Sequence, residues 1–381
     1  MLAQYLPLHF VSTMQHLARK VGKLTVLLSE KMDAARDWQP EFGDLKVRMQ
    51  RSLRVPIRHR HPLGFVDKGA LLVPYSTIAD LRSLRPDVVI SVEVGARTLQ
   101  AAMLRKLSAR FRLIVQVRES QNTAQSRGAL RHFIRRTLLP KVDDVFVNGR
   151  SGLEHVMACG VDRDQITVVP SGTDTHLFGA PLRREASDDW LRLLYVGQLI
   201  PRKGLIPFAQ ALAHAARESR RRITWTIAGR GPLDTALREI SWPANVRLDF
   251  IGSQPYQELP RIYAGADAFV MPSLSDEWGV VVNEAMASTL PVFGCTGAQA
   301  VEELVEPGRS GWCYAPGQHH DLATALDELL KASPQRLLEM GLNAREKAMT
   351  ITDEYTAAAM FSGIKKVLRV QGSGKRVQAS A

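Results

Sequence analysis

The sequence predicts an α/β protein built from two doubly wound domains with parallel sheets. Three observations predict it. Short β-branched runs alternate with helical stretches of about ten or more residues along the whole chain. At least eight such runs occur, enough for two sheets. A polar break carrying Gly and Pro, starting at Ser171, separates two strand–helix series.

The elements follow in order. Tyr5-Leu-Pro-Leu-His-Phe runs straight into a helical segment. A domain of this kind opens on a strand and a glycine-rich loop, so the first strand is expected to be missing or very short. The first clear strand starts near Leu24. Val88-Val-Ile-Ser-Val, Leu113-Ile-Val-Gln-Val and Val145-Phe-Val-Asn follow. The linker is placed at 172–190. Beyond it come Leu193-Leu-Tyr-Val, Ile223-Thr-Trp-Thr-Ile-Ala, Val246-Arg-Leu-Asp-Phe-Ile, Ala268-Phe-Val-Met and Pro291-Val-Phe-Gly. The last helices fall within 321–330 and 334–366, which are rich in Ala, Leu, Glu and Lys. The domains are therefore set at 1–178 and 190–350. A C-terminal helix, 351–370, is expected to pack back on the first domain, and 371–381 to be a disordered tail.

With 381 residues, 45% of them hydrophobic, the chain can bury two sizeable cores. No apolar run approaches the roughly 18 residues of a membrane span. The opening has no basic n-region, so no signal peptide is assigned. Cys159, Cys295 and Cys313 are odd in number and share no metal spacing, which suits free thiols in a reducing, cytoplasmic compartment. The net charge is +12, and residues 1–180 hold 27 Lys and Arg against 16 Asp and Glu. A basic first half makes an anionic membrane surface, on the inner face, or an anionic acceptor a candidate partner. No nucleic-acid motif or aromatic interleaving accompanies it.

Four segments of the second half carry candidate chemistry. In Val196-Gly-Gln-Leu-Ile-Pro-Arg-Lys-Gly a glycine follows a strand, and Arg202 and Lys203 precede a helix, where cations suit a diphosphate. In Ile227-Ala-Gly-Arg-Gly-Pro, Gly229 and Gly231 flank a strand-to-helix turn, where a plain tight turn is the alternative. Phe250-Ile-Gly ends a strand and can offer main-chain groups of Ile251 to a flat base. The fourth is Asp276-Glu-Trp-Gly-Val-Val-Val-Asn-Glu. There Gly279 and Val280 open a helix whose N–H groups suit an anion, while Asp276 and Glu284 suit sugar hydroxyls. A helix N-cap is the alternative role for Asp276, and a surface helix position for Glu284.

In order and spacing these stretches, with Val169-Pro-Ser-Gly-Thr-Asp and Gly311-Trp-Cys-Tyr-Ala-Pro-Gly, resemble the retaining, nucleotide-sugar-dependent glycosyltransferases of family 4. That resemblance implies the GT-B fold, two Rossmann-like domains facing each other across a cleft, and transfer of a sugar to a glycan or lipid-linked acceptor in cell-surface polysaccharide or glycolipid synthesis. It implies that Asp276 lies near the transferred sugar, that Glu284 holds the donor ribose, and that Lys203 meets the diphosphate. The chain departs from the pattern at three points. Gln198 stands where the family carries Arg, Asp276 is one methylene shorter than the usual Glu, and Thr289 replaces a Gly. Arg202 is the residue expected to compensate for Gln198.

In the first half the family places a His or an acid after the strand that faces the reacting sugar. In Val115-Gln-Val-Arg-Glu-Ser-Gln-Asn the candidate is Glu119, with an ion pair to Arg118 as its structural alternative. No cofactor is expected besides the nucleotide-diphosphate sugar, and no metal, because the side-chain cations meet the leaving diphosphate. Rival readings are a nucleotide-sugar epimerase on the same fold and a non-catalytic nucleotide-sugar-binding homologue. An NAD-dependent dehydrogenase is disfavoured, since no full Gly-x-Gly-x-x-Gly follows a strand with an acid about 20 residues on.

Overall fold

A computed structural model describes residues 1–32, 41–108, 111–125, 128–179 and 187–374. It divides into two compact units. Unit 1 comprises Met1–His59, Lys68–Ser171 and Asp353–Ala381, and unit 2 comprises Arg60–Asp67 and Gly172–Thr352.

Unit 1 runs β1 (Leu2–Ala3), α1 (Leu8–Lys20), β2 (Thr25–Leu28), β3 (Lys46–Met49), β4 (Ser52–Arg60), β5 (Val66–Pro74), α2 (Thr77–Leu84), β6 (Val88–Val92), α3 (Ala96–Ser108) and β7 (Arg112–Val117). Then come α4 (Gln121–Ala124), α5 (Ala129–Leu138), β8 (Asp144–Val147), α6 (Arg150–Ala158) and β9 (Ile166–Val168). Seven of these strands form a parallel sheet in the order β3-β2-β1-β6-β7-β8-β9. The first strand is present but only two residues long, too short to show any period in sequence. Leu2 pairs with both Leu27 and Ser91, so this stub sits mid-sheet and is fully buried. The basic run from Arg51 is largely β4, paired with β5 in a separate two-stranded ribbon. Pro56 is tolerated there because a ribbon leaves an edge free of ladder bonds.

One face of this sheet packs on α2, α3, α5 and α6 through residues such as Ala101, Leu104, Ile134 and Val156. The other packs on α1 and on the C-terminal helix Asp353–Gly374. Phe10, Met14 and Leu17 of α1 and Ala357, Met360, Ile364 and Val367 of that helix recur at helical spacing, and all are buried. Lys366 donates to Asp144 at 2.7 Å, and the Thr356 hydroxyl donates to the Pro170 carbonyl at 2.8 Å. The helical stretch expected over 334–366 is two helices, broken at Met349–Thr352. The second of them continues past Gln371, where the sequence predicts a disordered tail, because each further turn costs little once a packed helix is nucleated. Residues 375–381, and 180–186 of the expected linker, lie outside the described residues.

Unit 2 runs α7 (Thr175–Phe178), β10 (Trp190–Val196), α8 (Leu205–Ala215), β11 (Arg222–Ala228), α9 (Asp234–Arg238), β12 (Val246–Phe250), α10 (Leu259–Ala264) and β13 (Ala268–Met271). It continues with α11 (Val281–Ala287), β14 (Val292–Cys295), α12 (Gln299–Leu304), β15 (Gly311–Tyr314), α13 (His319–Lys331) and α14 (Pro334–Ala348). Its parallel sheet has the order β12-β11-β10-β13-β14-β15. Successive side chains of β10 face opposite ways. Leu193 and Tyr195 join the core under α8 and α13, and Leu194 and Val196 join the core under α11 and α12. Strand order reverses between β10 and β13. In an open α/β sheet a ligand crevice forms at that switch point, outside the carboxyl ends of the strands.

Candidate active site

The loops that leave β10 and β13 meet at this switch point. Lys203 and Arg202, on the loop after β10, both reach Asp276, on the loop after β13. The Lys203 ammonium bonds Asp276 Oδ2, and Arg202 Nη1 lies 3.3 Å from Oδ1 and 3.2 Å from the Ser275 carbonyl. The side chains of Lys203 and Asp276 are 11% and 13% exposed, so water screens the pair only weakly. Burial alone would raise the Asp276 carboxyl, but the charges of Lys203 and then Arg202 more than reverse that and hold it at about 2. The main chain keeps the loop in place. Asp276 N–H donates to the Gly297 carbonyl at 3.0 Å, and Leu274 N–H donates to the Arg202 carbonyl at 3.0 Å.

Gln198 stands at the end of β10. Its carbonyl accepts the hydroxyl of Tyr195, a fully buried side chain, at 2.8 Å. Gly229 directly follows β11. A Cβ there would lie 1.8 Å from the Gly197 carbonyl oxygen, so this glycine lets two neighbouring loops close on each other. Ile251 continues the β12 ladder, its N–H bonded to the Ile227 carbonyl at 3.1 Å.

Gly279 has φ +94, and a Cβ there would meet Met271 Cε at 2.6 Å. Val280 caps α11 without a side-chain bond. Glu284, in the first turn of that helix, is buried rather than on a solvated face. It accepts the Tyr263 hydroxyl at 2.8 Å, and burial, with the Glu284 charge, pushes that phenol well above its ordinary range. Trp278 Nε1 donates to Asn283 Oδ1 at 2.8 Å, which ties the acid-bearing loop to the helix. Thr289, at the family's Gly position, has φ +65, a conformation that a β-branched residue adopts at a cost.

The ion pair named as the alternative for Glu119 needs correction. Glu119 is fully buried and bonds Arg135, itself 1% exposed, with Arg131 at 3.7 Å. Helix α5 supplies both arginines, so the Glu119 carboxylate is engaged by cations inside unit 1. The ion pair is with α5 and not with Arg118. Arg118 sets its guanidinium 5.4 Å from the centre of the Phe10 ring, and its N–H donates to Glu93 Oε1 at 2.7 Å. Glu93 was not singled out from sequence. It follows β6 directly and has φ +62. Its charge and that of Glu30 support Arg97, whose guanidinium burial holds at about 10 and which donates to Ser29 at 2.7 Å. The Val-Glu-Val-Gly turn after an apolar strand was the available signal. Tyr195, Tyr263 and Asn283 left no comparable mark, since a buried aromatic or amide reads as core.

Two family models match, one for each half. Residues 9–172 match the glycosyl transferase 4-like domain, and residues 183–347 match glycosyl transferases group 1. The chain is similar to a D-inositol 3-phosphate glycosyltransferase of Gordonia bronchialis, 30% identical over 57% of this chain and 50% of that protein. It is also similar to the amylovoran biosynthesis glycosyltransferase AmsK of Erwinia amylovora, 29% identical over 55% of this chain and 52% of the other. The chain thus spans about half the length of these relatives. Among solved structures, Anabaena HepE in complex with UDP and glucose superposes with a TM-score of 0.69 at 17% identity, over 95% of this chain and 97% of that one. Sucrose-phosphate synthase from Thermosynechococcus elongatus gives 0.70 at 17% identity, over 94% and 92%. With the strand order, the two-unit architecture and both halves matched, the chain belongs to the group 1 glycosyl transferases of GT-B fold, consistent with the retaining family 4.

Proposed function

We propose that this protein transfers a sugar from a nucleoside-diphosphate sugar to a hydroxyl of a glycan or lipid-linked acceptor, with retention at the anomeric carbon, in making a cell-surface polysaccharide or glycolipid. The observation that carries the reading is the pairing of Asp276 with Lys203 and Arg202 at the unit 2 switch point. Two cations and an acid at one strand-end crevice suit a substrate that joins phosphates to hydroxyls. The similar structures of HepE with UDP and with UDP-glucose support a nucleotide-sugar donor.

In this reading the bond from the anomeric carbon to the phosphate oxygen breaks, and negative charge grows on the departing diphosphate. Lys203 and Arg202 meet that charge, and groups strengthened in the transition state accelerate the step. Gln198 adds an amide in place of the family's guanidinium. Asp276, kept ionised by the same cations, takes sugar hydroxyls, and Glu284 takes the ribose from a position braced by Tyr263. Main-chain groups near Gly229, Ile251, Gly279 and Val280 frame the base and phosphates. The side-chain cations serve the leaving group, and no separate cofactor is assigned. The basic first half supports an acceptor at an anionic, inner-face membrane surface. No helix among the described residues is long and apolar enough to cross a membrane, so that association would be peripheral.

The test is a donor screen by mass spectrometry, with UDP- and GDP-sugars offered beside a cell-extracted lipid acceptor pool. Sugar-dependent product formation is expected. Donor binding without turnover would favour a non-catalytic homologue, and an altered free nucleotide sugar would favour an epimerase.

A further inference from the structure

We propose that Asp276 makes the unit 2 site discriminate between a sugar-bearing nucleoside diphosphate and the bare diphosphate, by competing with phosphate for Lys203 and Arg202. The proposal rests on the function proposed above and names a discrimination within that same site. The loop from Gly197 to Gly204 carries two charged side chains, Arg202 and Lys203. Both are engaged by the Asp276 carboxylate, one at each oxygen. Gln198 is neutral and adds no third cation. A diphosphate that draws on this loop must therefore take its charge contacts from Asp276.

Main-chain bonds keep the carboxylate close during that exchange. The Leu274 N–H donates to the Arg202 carbonyl at 3.0 Å, which ties the two loops together. The Asp276 N–H donates to the Gly297 carbonyl at 3.0 Å, and Asp276 forms a parallel bridge with Ala298. The Lys203 N–H donates to the Ile200 carbonyl, also at 3.0 Å. The ion pair can thus part by side-chain rotation, but the Asp276 backbone cannot carry the charge away. What Asp276 meets next depends on the ligand. With a sugar on the diphosphate, hydroxyls donate to the carboxylate, which is acceptor-only, and replace its cation contacts. With the bare diphosphate those hydroxyls are missing. A carboxylate only 13% exposed then stands beside an anion, its own partners diverted, and burial makes such a charge costly. This differential contact favours the donor over the spent nucleotide. After transfer the same competition returns Lys203 to Asp276 and helps expel the nucleoside diphosphate.

The test is calorimetric titration of the full chain with UDP, GDP and inorganic pyrophosphate, and with the UDP- and GDP-sugars of the donor screen. Wild type, Asp276→Asn and Asp276→Ala are compared, and circular dichroism checks the fold. Both substitutions remove the competing charge, so each should tighten binding of the bare diphosphates at least tenfold. The nucleotide sugars should gain less, because they lose a hydroxyl acceptor at the same time. Unchanged or weaker diphosphate binding in both variants, the result of a purely structural role for Asp276, overturns the proposal. Tightening in the Asn variant alone also overturns it, since that assigns the effect to the new amide donor. Should neither variant fold, the wild type decides, and UDP or GDP bound as tightly as its best sugar-bearing form overturns the proposal. Diphosphate binding by none of the three chains would refute the function proposed above along with the competition. Donor turnover by the wild type, with no tightening in the variants, would refute the competition alone.

Discussion

Replacing Lys203 with Met removes one charge and keeps most of the stem. The consequence can be worked from the Asp276 carboxyl, held at about 2 against an ordinary 3.8. That difference corresponds to roughly 2 kcal/mol of folding stability at neutral pH. Lys203 supplies the larger opposing charge and Arg202 the smaller, so Lys203→Met should cost on the order of 1–2 kcal/mol. The sign follows from linkage. A depressed carboxyl stabilises the fold above its ordinary range and loses that contribution as pH falls toward 2. The gap between wild type and variant should thus be full at pH 7 and close below about pH 4. For the proposed reaction the variant also loses a charge-assisted contact to the diphosphate, worth about 1.5–3 kcal/mol, or roughly 10- to 150-fold in rate. The loss should fall mainly on kcat, because the charge it meets grows as the leaving group departs. Urea unfolding at two pH values and initial rates of nucleotide release measure the two effects. A kcat/KM within about threefold of wild type would refute the phosphate assignment, and an unchanged urea midpoint at pH 7 would refute the energetic reading of the pair.

Three further outcomes are expected. Thr289→Gly should raise stability by about 1 kcal/mol, since it relieves a β-branched residue at φ +65, and thermal unfolding reads this directly. Tyr263→Phe leaves a buried Glu284 oxygen without its hydroxyl donor. It should cost about 1–3 kcal/mol in denaturant unfolding and weaken donor binding measured by calorimetry. His155 is held at about 4, by burial first and then by the Arg135 charge, so the unfolded chain takes up a proton near pH 6.5 that the folded chain refuses. Stability should therefore fall as pH drops from about 6.5 to 4, and His155→Leu should flatten that slope. An equally steep slope in the variant would assign it to other groups.

Much of the second half could be read directly because each local signal agreed with its neighbours. Val196-Gly and Met271-Pro-Ser end apolar runs, so the strand ends and the loops beyond them were evident. The first half was harder to read. Two residues of β1 carry no periodicity, and β4 is masked by its Arg and Pro content. Glu119 illustrates the limit, because an acid after a strand looks the same in sequence whether its carboxylate faces a ligand or a helix.

By itself, then, the sequence determined two parallel α/β domains and the residue types at their strand ends, because side-chain period and turn chemistry are local properties. Tertiary structure decided which of those ends meet. Lys203 and Asp276 lie 73 residues apart and touch because β13, and not β11, continues the sheet on the far side of β10. It also decided that Glu119 turns inward, since α5 brings Arg135 to it, and that Glu284 is braced by Tyr263. Each is a contact between elements distant in sequence, set by strand order and helix packing, and no local pattern records it.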